Sequence, residues 1–477
     1  MKSKIYYIIL SILLSLTSCN SWLDVTPQGQ MEATDMLSSE KGYNSALGGV
    51  YYTLSSSSMY GKELSYGMMD LLAQYWDISN NTSHSYYKLS QYDYKDANAI
   101  SKFNAIWKGF YSAISQCNLI ISSIEKNRSS IKYSELIEGE AYGLRAFAHM
   151  ELFRMFGPVI KSEADLDKPA IAYRTELNTV AQKFESGREI LAKVNTDLTK
   201  ALELMKDDPI KTIGRKGDLN TSRLDYNEVV NRRGSRMNYY GVLGLQARVH
   251  LWYGNTDEAL RYARLVKDAT NPDETKKFRL TNEVDDFPDN SWVDGTCYSE
   301  HLCGTKCDTY DYSKGGWMSG RAMIMNASPS FVQTLFDGNT SDFRYKKMWT
   351  YERTGLMVYG YVLRKYRCFY TGTKAAQNFP IIRLSEMYLT IMEKAPLSEA
   401  NEVYKEFCAA RGIEYVPYTE ADRQERVYKE WIRELIGEGQ NFFTYKRLYV
   451  RNMIFGISEC GEEQYVLPIP EKEYLGE

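Results

Sequence analysis

Between Asn238 and Lys267 the sequence leaves room for little besides two helices and a tight turn. Leu243, Ala247 and Leu251 recur at every fourth position, with Trp252 beside the last, which lays one apolar stripe along a helix. Gly254-Asn255 then turns the chain, and Thr256 or Asp257 stands where a helix needs its cap. Ala259, Leu260, Ala263 and Val266 make a second stripe. Two helices of about four turns joined by so short a turn are the unit of tetratricopeptide-like arrays. The same periodicity runs through Ala141, Leu144, Arg145, Ala148, Leu152 and Met155, and Gly157-Pro158 stops it. Ile381 to Met392 followed by Pro396 to Arg411 reads as another pair. Trp431, Ile432, Leu435 and Ile436 read as an amphipathic helix closed by Gly437 or Gly439. The strict repeat consensus is absent, so the pairs are degenerate. The spacing predicts a mostly α fold: tetratricopeptide-like helix pairs as scaffold, long irregular loops and few short strands.

Two stretches break the helical pattern. Tyr75 to Asp96 is rich in Tyr, Ser and Asn, and Asp268 to Ser330 in Gly, Asp, Asn and aromatics. Loops this long in a compact domain are usually functional. Tyrosine is the outlying number in the composition, at 39 of 477 residues. Its flat apolar ring with a polar tip suits wet recognition surfaces better than dry cores. The 58 Lys+Arg against 61 Asp+Glu give a net charge of -3. A nucleic-acid binder would carry a basic excess, so that class is disfavoured.

The first residues set the compartment. Met1-Lys2-Ser3-Lys4 is a basic start, and Ile5 to Leu16 is apolar. That run falls short of the ~20 residues a membrane-spanning helix needs, and fits the core of a secretory signal. Leu16-Thr17-Ser18-Cys19 resembles a bacterial lipobox, in which the cysteine is acylated and becomes the new N-terminus. Residues 1–18 are therefore expected to be a lipoprotein signal peptide, with Cys19 as the lipid anchor. More than one acyl chain is needed to hold a protein stably on a membrane.

Of the eight cysteines, setting Cys19 aside leaves an odd number, scattered along the chain, which is no disulfide framework. Cys297, His301, Cys303 and Cys307 form the only dense group. Their spacing fits no standard structural zinc pair, so a local disulfide or free thiols are expected instead of a metal. The acidic run Glu283-Val284-Asp285-Asp286-Phe287-Pro288-Asp289-Asn290 has the oxygens for calcium but not the EF-hand spacing, and reads as a solvated loop. No cofactor is implied. There are four histidines; His149 and His250 sit within helices among apolar neighbours, where packing is the expected role. Nucleophile elbows, zincin motifs and phosphate loops are absent from the sequence, and no pair of carboxylates stands out for glycosidase chemistry. The chain is not expected to be an enzyme.

The motifs taken together are similar to those of the SusD/RagB family of outer-membrane lipoproteins of Bacteroidota. Asn20-Ser21-Trp22-Leu23-Asp24-Val25-Thr26-Pro27 resembles the family's start after the lipobox. Ile106-Trp107-Lys108-Gly109-Phe110-Tyr111 with Cys117-Asn118 resembles its Trp–Tyr–Asn helix. Glu140-Ala141, Leu144-Arg145-Ala146 and Phe156-Gly157-Pro158 resemble its next signature, and Arg383-Leu384-Ser385-Glu386-Met387-Tyr388-Leu389 a later one. Glu425-Arg426, Arg433-Glu434-Leu435, Glu438-Gly439, Tyr445-Lys446-Arg447 and Leu467-Pro468-Ile469-Pro470 complete the series in order. Thr444-Tyr445 depart from the family's aspartate before Lys446-Arg447, and Met392-Glu393 stand for its Ala-Glu. The resemblance implies one SusD-like unit over 19–477, with halves of about 19–230 and 231–477. It implies a lid on a TonB-dependent SusC-like transporter, outside the cell on the outer membrane, that captures glycan or, in a runner-up reading, peptide. Glu140, Arg145, Glu386, Arg383 and Arg433 are expected to form buried or half-buried ion pairs between helices.

The expected glycan site is built from the two aromatic loops brought to one face. Sugar rings lie flat on aromatic rings while amides and charges bond the hydroxyls. The first loop offers Trp76, Asn80, Asn81, Tyr86 and Tyr87, and the second Trp292, Tyr298, Tyr310, Tyr312, Trp317 and Arg321. Trp76 and Trp292 fit a core as well as a site.

Overall fold

The structure is a computed structural model, and it describes residues 36–78, 81–178, 180–212, 214, 230, 233–287, 295–306, 324–325, 329–353, 359–363, 365–366, 378–456 and 459–476. Its helices include α1 (Glu40–Ser55), α2 (Met68–Leu72), α3 (Tyr87–Ser90), α4 (Ala97–Asn127), α5 (Ser134–Phe156), α6 (Gly187–Leu204), α7 (Tyr239–Trp252), α8 (Thr256–Lys267), α9 (Phe343–Met348), α10 (Leu384–Lys394), α11 (Leu397–Arg411), α12 (Arg423–Leu435) and α13 (Asn441–Leu448). Neighbours in sequence pack as neighbours in space: α4 on α5, α5 on α6, α6 on α7, α7 on α8, α8 on α10, and α10 on α11. The fold is mostly α, as the spacing predicts.

The α7–α8 pair stands where its stripes put it. Asn238 caps α7, its side chain accepting from the backbone N–H of Tyr240 and Gly241. The second cap is one residue earlier than expected: Asn255, not Thr256 or Asp257, accepts from Glu258 N–H. The pair at 381–411 is also corrected. Ile381 to Arg383 belong to a strand, and α10 begins only at Leu384. A short apolar run reads alike as strand or helix, and here pairing with another strand decides.

The strands among the described residues are short and form two-stranded sheets. β1 (Trp76–Asp77) pairs antiparallel with β5 (Ile324–Met325), Trp76 facing Met325 and Asp77 facing Ile324. β2 (Pro169–Ile171) pairs with β3 (Glu185–Ser186), β4 (His301–Lys306) with β8 (Asn378–Arg383), and β6 (Trp349–Arg353) with β7 (Tyr359–Leu363).

Helix α5 lies at the centre, with 20 of its 23 residues buried. A helix covered all round must satisfy every polar group it carries. Glu140 accepts from Arg233 at 2.5 Å and Arg236 at 2.7 Å, and Arg145 holds both oxygens of Asp197 at 2.7 Å. Arg154 reaches Glu151 at 2.6 Å and Gln440 at 2.8 Å. Its C-terminal carbonyls are capped from the far end of the chain: buried Lys446 donates to Arg154 O at 2.8 Å and Gly157 O at 2.7 Å. Of the other expected pairs, only that of Glu386 runs between helices; Arg383 pairs from strand β8, and Arg433 pairs within α12 and with Asp337 outside any helix, which corrects the expectation for those two. Glu386 bonds Arg248, Arg383 bonds Glu300, Glu434 and Glu438, and Arg433 bonds Glu430 and Asp337.

Candidate functional site

The β1–β5 ladder joins the roots of the two aromatic loops. The first runs on from Asp77 of β1; within the second, β4 ends at Lys306, paired with Asn378, and β5 begins at Ile324, paired with Asp77, with Trp292 and Tyr298 preceding β4 in sequence. Beneath β1 the support is aromatic. Trp76 is 6% exposed, and its indole N–H donates to Tyr66 O at 2.7 Å. The Tyr66 ring packs against Tyr366 at 5.7 Å and Phe379 at 6.1 Å. Tyr86 is 1% exposed; it donates to Glu63 at 2.5 Å, and Lys102 lies over its ring at 4.1 Å. Burial, with the Glu63 carboxylate beside it, holds the Tyr86 hydroxyl well above its ordinary pKa. Trp76 and Tyr86 are thus core residues that fix the loop, and their faces are covered. This corrects the expectation that they offer rings to a ligand.

The other described residues expected in the first loop's site differ in exposure. Asn81 is exposed, held by its own backbone to Ile78 O, and accepts from Ser83 Oγ. Tyr87 is half-buried at the start of α3. Tyr298 is half-buried and sits edge-on to the ring of His301 at 5.2 Å, so its contact is with the base of the second loop. Asn80, Trp292, Tyr310, Tyr312, Trp317 and Arg321 lie outside the described residues, as does Cys19.

The second loop's base rests on a buried ion cluster. Arg383 bonds Glu300 and Glu438 at 2.9 Å, Arg411 bonds Glu300 at 2.9 Å and Glu434 at 2.6 Å, and Arg344 bonds Glu430 and Glu434 at 2.8 Å. Glu300 also takes the Thr281 N–H at 2.8 Å, which ties the start of the 281–300 segment to this cluster. Cys297, Glu300 and Glu434 bring ligand atoms within 4.8 Å of one another. Both carboxylates are already saturated by arginines, and burial pushes the Cys297 thiol up to about 12. A cation there would meet two guanidiniums, so the group is an ion-pair cluster. Cys297 and Cys303 are buried free thiols, His301 bonds Thr296 O at 2.8 Å, and Cys307 is outside the described residues. In the acidic run, Asp286 is paired with Arg279 at 2.7 Å, and Glu283 lies 3.5 Å from Lys346 and Lys347.

One large concavity was not foreseen from sequence. A cleft of about 810 Å³ opens between α4, the segment 172–184 and residues 470–473. Its residues come from three distant stretches of chain, so no local pattern marks it. The available signal was the helical spacing of Trp107, Tyr111 and Asn118, which puts all three on one face of α4.

Comparison with known proteins agrees with this architecture. A family model described as "Starch-binding associating with outer membrane" matches residues 21–216, and the SusD family model matches residues 312–474. The chain belongs to the SusD/RagB family. SusD-like protein P2 of Formosa agariphila is 25% identical over 207 residues, 43% of this chain. That match spans 38% of the relative's length. SusD-like protein P38 of the same organism is 35% identical over 100 residues, covering 20% of this chain and 19% of the relative. Among solved structures, a SusD-like carbohydrate binding protein from Bacteroides vulgatus superposes with a TM-score of 0.68 at 18% identity, covering 92% of this chain and 96% of its own. A SusD superfamily protein from Bacteroides thetaiotaomicron gives 0.65 at 20% identity, covering 91% and 97%. At such identities these neighbours establish the fold alone. No helix among the described residues is long and apolar enough to cross a membrane.

Proposed function

We propose that the chain is a binding protein without catalytic activity that captures glycans at the cell surface. Cleavage before Cys19 and acylation of that residue hold the mature protein, one unit over 19–477, on the outer face of the outer membrane. There it serves as the lid of a TonB-dependent SusC-like transporter. The observation that carries the reading is the β1–β5 ladder, which joins the roots of the two loops richest in rings and amides. Exposed Asn81 and half-buried Tyr87 are the first loop's contribution; Trp292, Tyr298, Tyr310, Tyr312, Trp317 and Arg321, with Asn80, are the groups we propose complete the site. Family membership and the carbohydrate-binding name of a structural neighbour support the same class of ligand.

The test is a combined glycan and peptide array on protein lacking residues 1–19, followed by calorimetry with the best ligand. Trp317→Ala and Tyr87→Ala should each weaken glycan binding about tenfold, since ~1.4 kcal/mol is a factor of ten. Binding of peptides with no glycan signal would replace the reading by its runner-up, a peptide-capturing lid.

A further inference from the structure

No described residue of the two aromatic loops lines the cleft beside α4, and its construction shows a wall fixed in advance. The segment 172–184 is held by side chains reaching out from the core. Tyr111 donates to Ala172 O at 2.9 Å, and Asn118, 2% exposed, donates to Arg174 O at 3.2 Å. The Asn118 amide is itself oriented by Arg145, which donates to its oxygen at 2.9 Å. Fully buried His149 accepts the Arg174 N–H on Nε2 at 2.9 Å while Nδ1 bonds Arg145 O, and its ring stacks on Tyr173 at 3.7 Å. Arg174 then closes the segment on itself by donating to Val180 O at 3.0 Å. Four buried or half-buried polar side chains thus hold the backbone at Ala172, Arg174 and Val180. A surface that does not have to be ordered on binding loses less affinity to entropy.

The lining specifies the kind of ligand. Lys108, Arg174 and Lys472 stand against Glu176, Glu471 and Glu473, so the walls carry no net charge. That disfavours an anionic polymer or lipid headgroup. Ring surface comes from Tyr111 and Phe184, both half-buried, with the edge of Trp107 below. The side chains of Asn104, Ser115 and Gln182 line the same cleft and have no hydrogen-bond partner among the described residues. Rings flanked by unengaged amides and hydroxyls, with charges balanced, match a neutral polyol. The volume is within the usual range of ligand sites, roughly 300–1,000 Å³.

We propose that this cleft is a second carbohydrate-binding site, independent of the loop site, that takes a short stretch of neutral oligosaccharide. A lid with two separate footholds would hold a chain longer than either site and gain avidity from the linkage.

The test is calorimetry and crystal soaking of the full mature protein with maltoheptaose, laminarihexaose, cellohexaose, xylohexaose and mannohexaose. Two variants block the cleft in different ways. Phe184→Ala removes ring surface, and Ser115→Trp fills the cleft from an exposed helix position without touching the core. We expect sugar density against Tyr111 and Phe184, and affinity at this site reduced about five- to tenfold by Phe184→Ala. Ser115→Trp should abolish it, with binding at the loops unchanged in both. A bound sugar at the loops alone, indifferent to both variants, overturns the proposal and leaves the proposed function standing. Density from none of the five sugars in the cleft overturns it as well. No sugar bound anywhere on the protein overturns this proposal, while the proposed function is decided by the glycan and peptide array.

Discussion

At the scale of single residues, the motifs that identify the family are load points of the fold. Arg145 illustrates the arithmetic. Its guanidinium holds Asp197 through two 2.7 Å bonds, and Tyr173 donates to the same carboxylate at 2.5 Å. Arg145→Ala would leave Asp197 buried with only a tyrosine hydroxyl, which costs on the order of 3–5 kcal/mol. Replacing both partners, Arg145→Met with Asp197→Leu, should cost much less, because no charge is stranded. Urea unfolding of the two variants checks this, and wild-type stability in Arg145→Ala would refute the scaffold role. His149 and Glu393 set an acid limit. Burial pushes His149 down to about 3, so between pH 6.5 and 3 the unfolded chain binds a proton the native one refuses. Burial alone would raise Glu393, but Arg447, bonded at 2.7 Å, takes it down to about 2. Its contribution is present above its unfolded value of 4.5 and is lost as pH falls through 2. Both terms have the same sign. Stability should fall as pH drops below 6.5, at up to ~1.4 kcal/mol per pH unit per group. His149→Gln should flatten the upper part of that slope, from pH 6.5 to 4.5, in melts recorded across the range.

At the scale of elements, periodicity made the helices legible, but not their surroundings. The stripe Ala141–Leu144–Ala148–Leu152–Met155 gives α5 one apolar face, whereas the structure buries nearly every side of it. A stripe shows the minimum that must be covered; which charges are buried with it depends on partners far away in sequence, such as Arg233 for Glu140 and Asp197 for Arg145. The two-residue ladder β1–β5 lies below any periodic signal. Trp76 and Tyr86 could not be assigned from residue type, because a tryptophan or tyrosine serves a core and a sugar site equally well. The turn between α12 and α13 was marked by its glycines, and the structure gives the reason. Gly437 and Gly439 have φ of 85° and 71°, and Asp70 of α2 accepts both of their N–H groups, at 2.7 and 3.2 Å. A Cβ on Gly439 would stand 2.1 Å from Leu64 O, whereas one on Gly254, at φ 82°, meets open space. Gly254→Ala should therefore cost only the left-handed strain of ~1–2 kcal/mol. Gly439→Ala should cost clearly more, and equal melting temperatures for the two would contradict the close approach.

At the scale of the whole molecule, the N-terminal and C-terminal halves are interlocked through their interiors. Asp70 reaches Gly437 and Gly439, Tyr75 bonds Tyr445 at 3.1 Å, Arg233 bonds Glu140, and Lys446 caps the end of α5. Each of these groups is buried, so pulling the halves apart would expose polar atoms whose partners sit on the other side. The mature chain should unfold in a single transition, with coincident midpoints by far-UV and near-UV circular dichroism. Residues 19–230 expressed alone should lack a cooperative transition, because α5 would lose α7 and Lys446 together. A cooperative melt of that fragment would show two independent domains instead. The anchor is a separate question, since lipid and fold act on different parts of the chain. Acylation at Cys19 is proposed from Leu16-Thr17-Ser18-Cys19. Cys19→Ala should then leave uncleaved precursor or release protein into the periplasm, with the melting temperature of the residue 20–477 body unchanged. Fractionation of mature Cys19→Ala protein with the outer membrane would mean that something other than lipid holds it there. Tight binding to the proposed partner transporter is one such source, and repeating the fractionation in cells lacking that transporter separates the two.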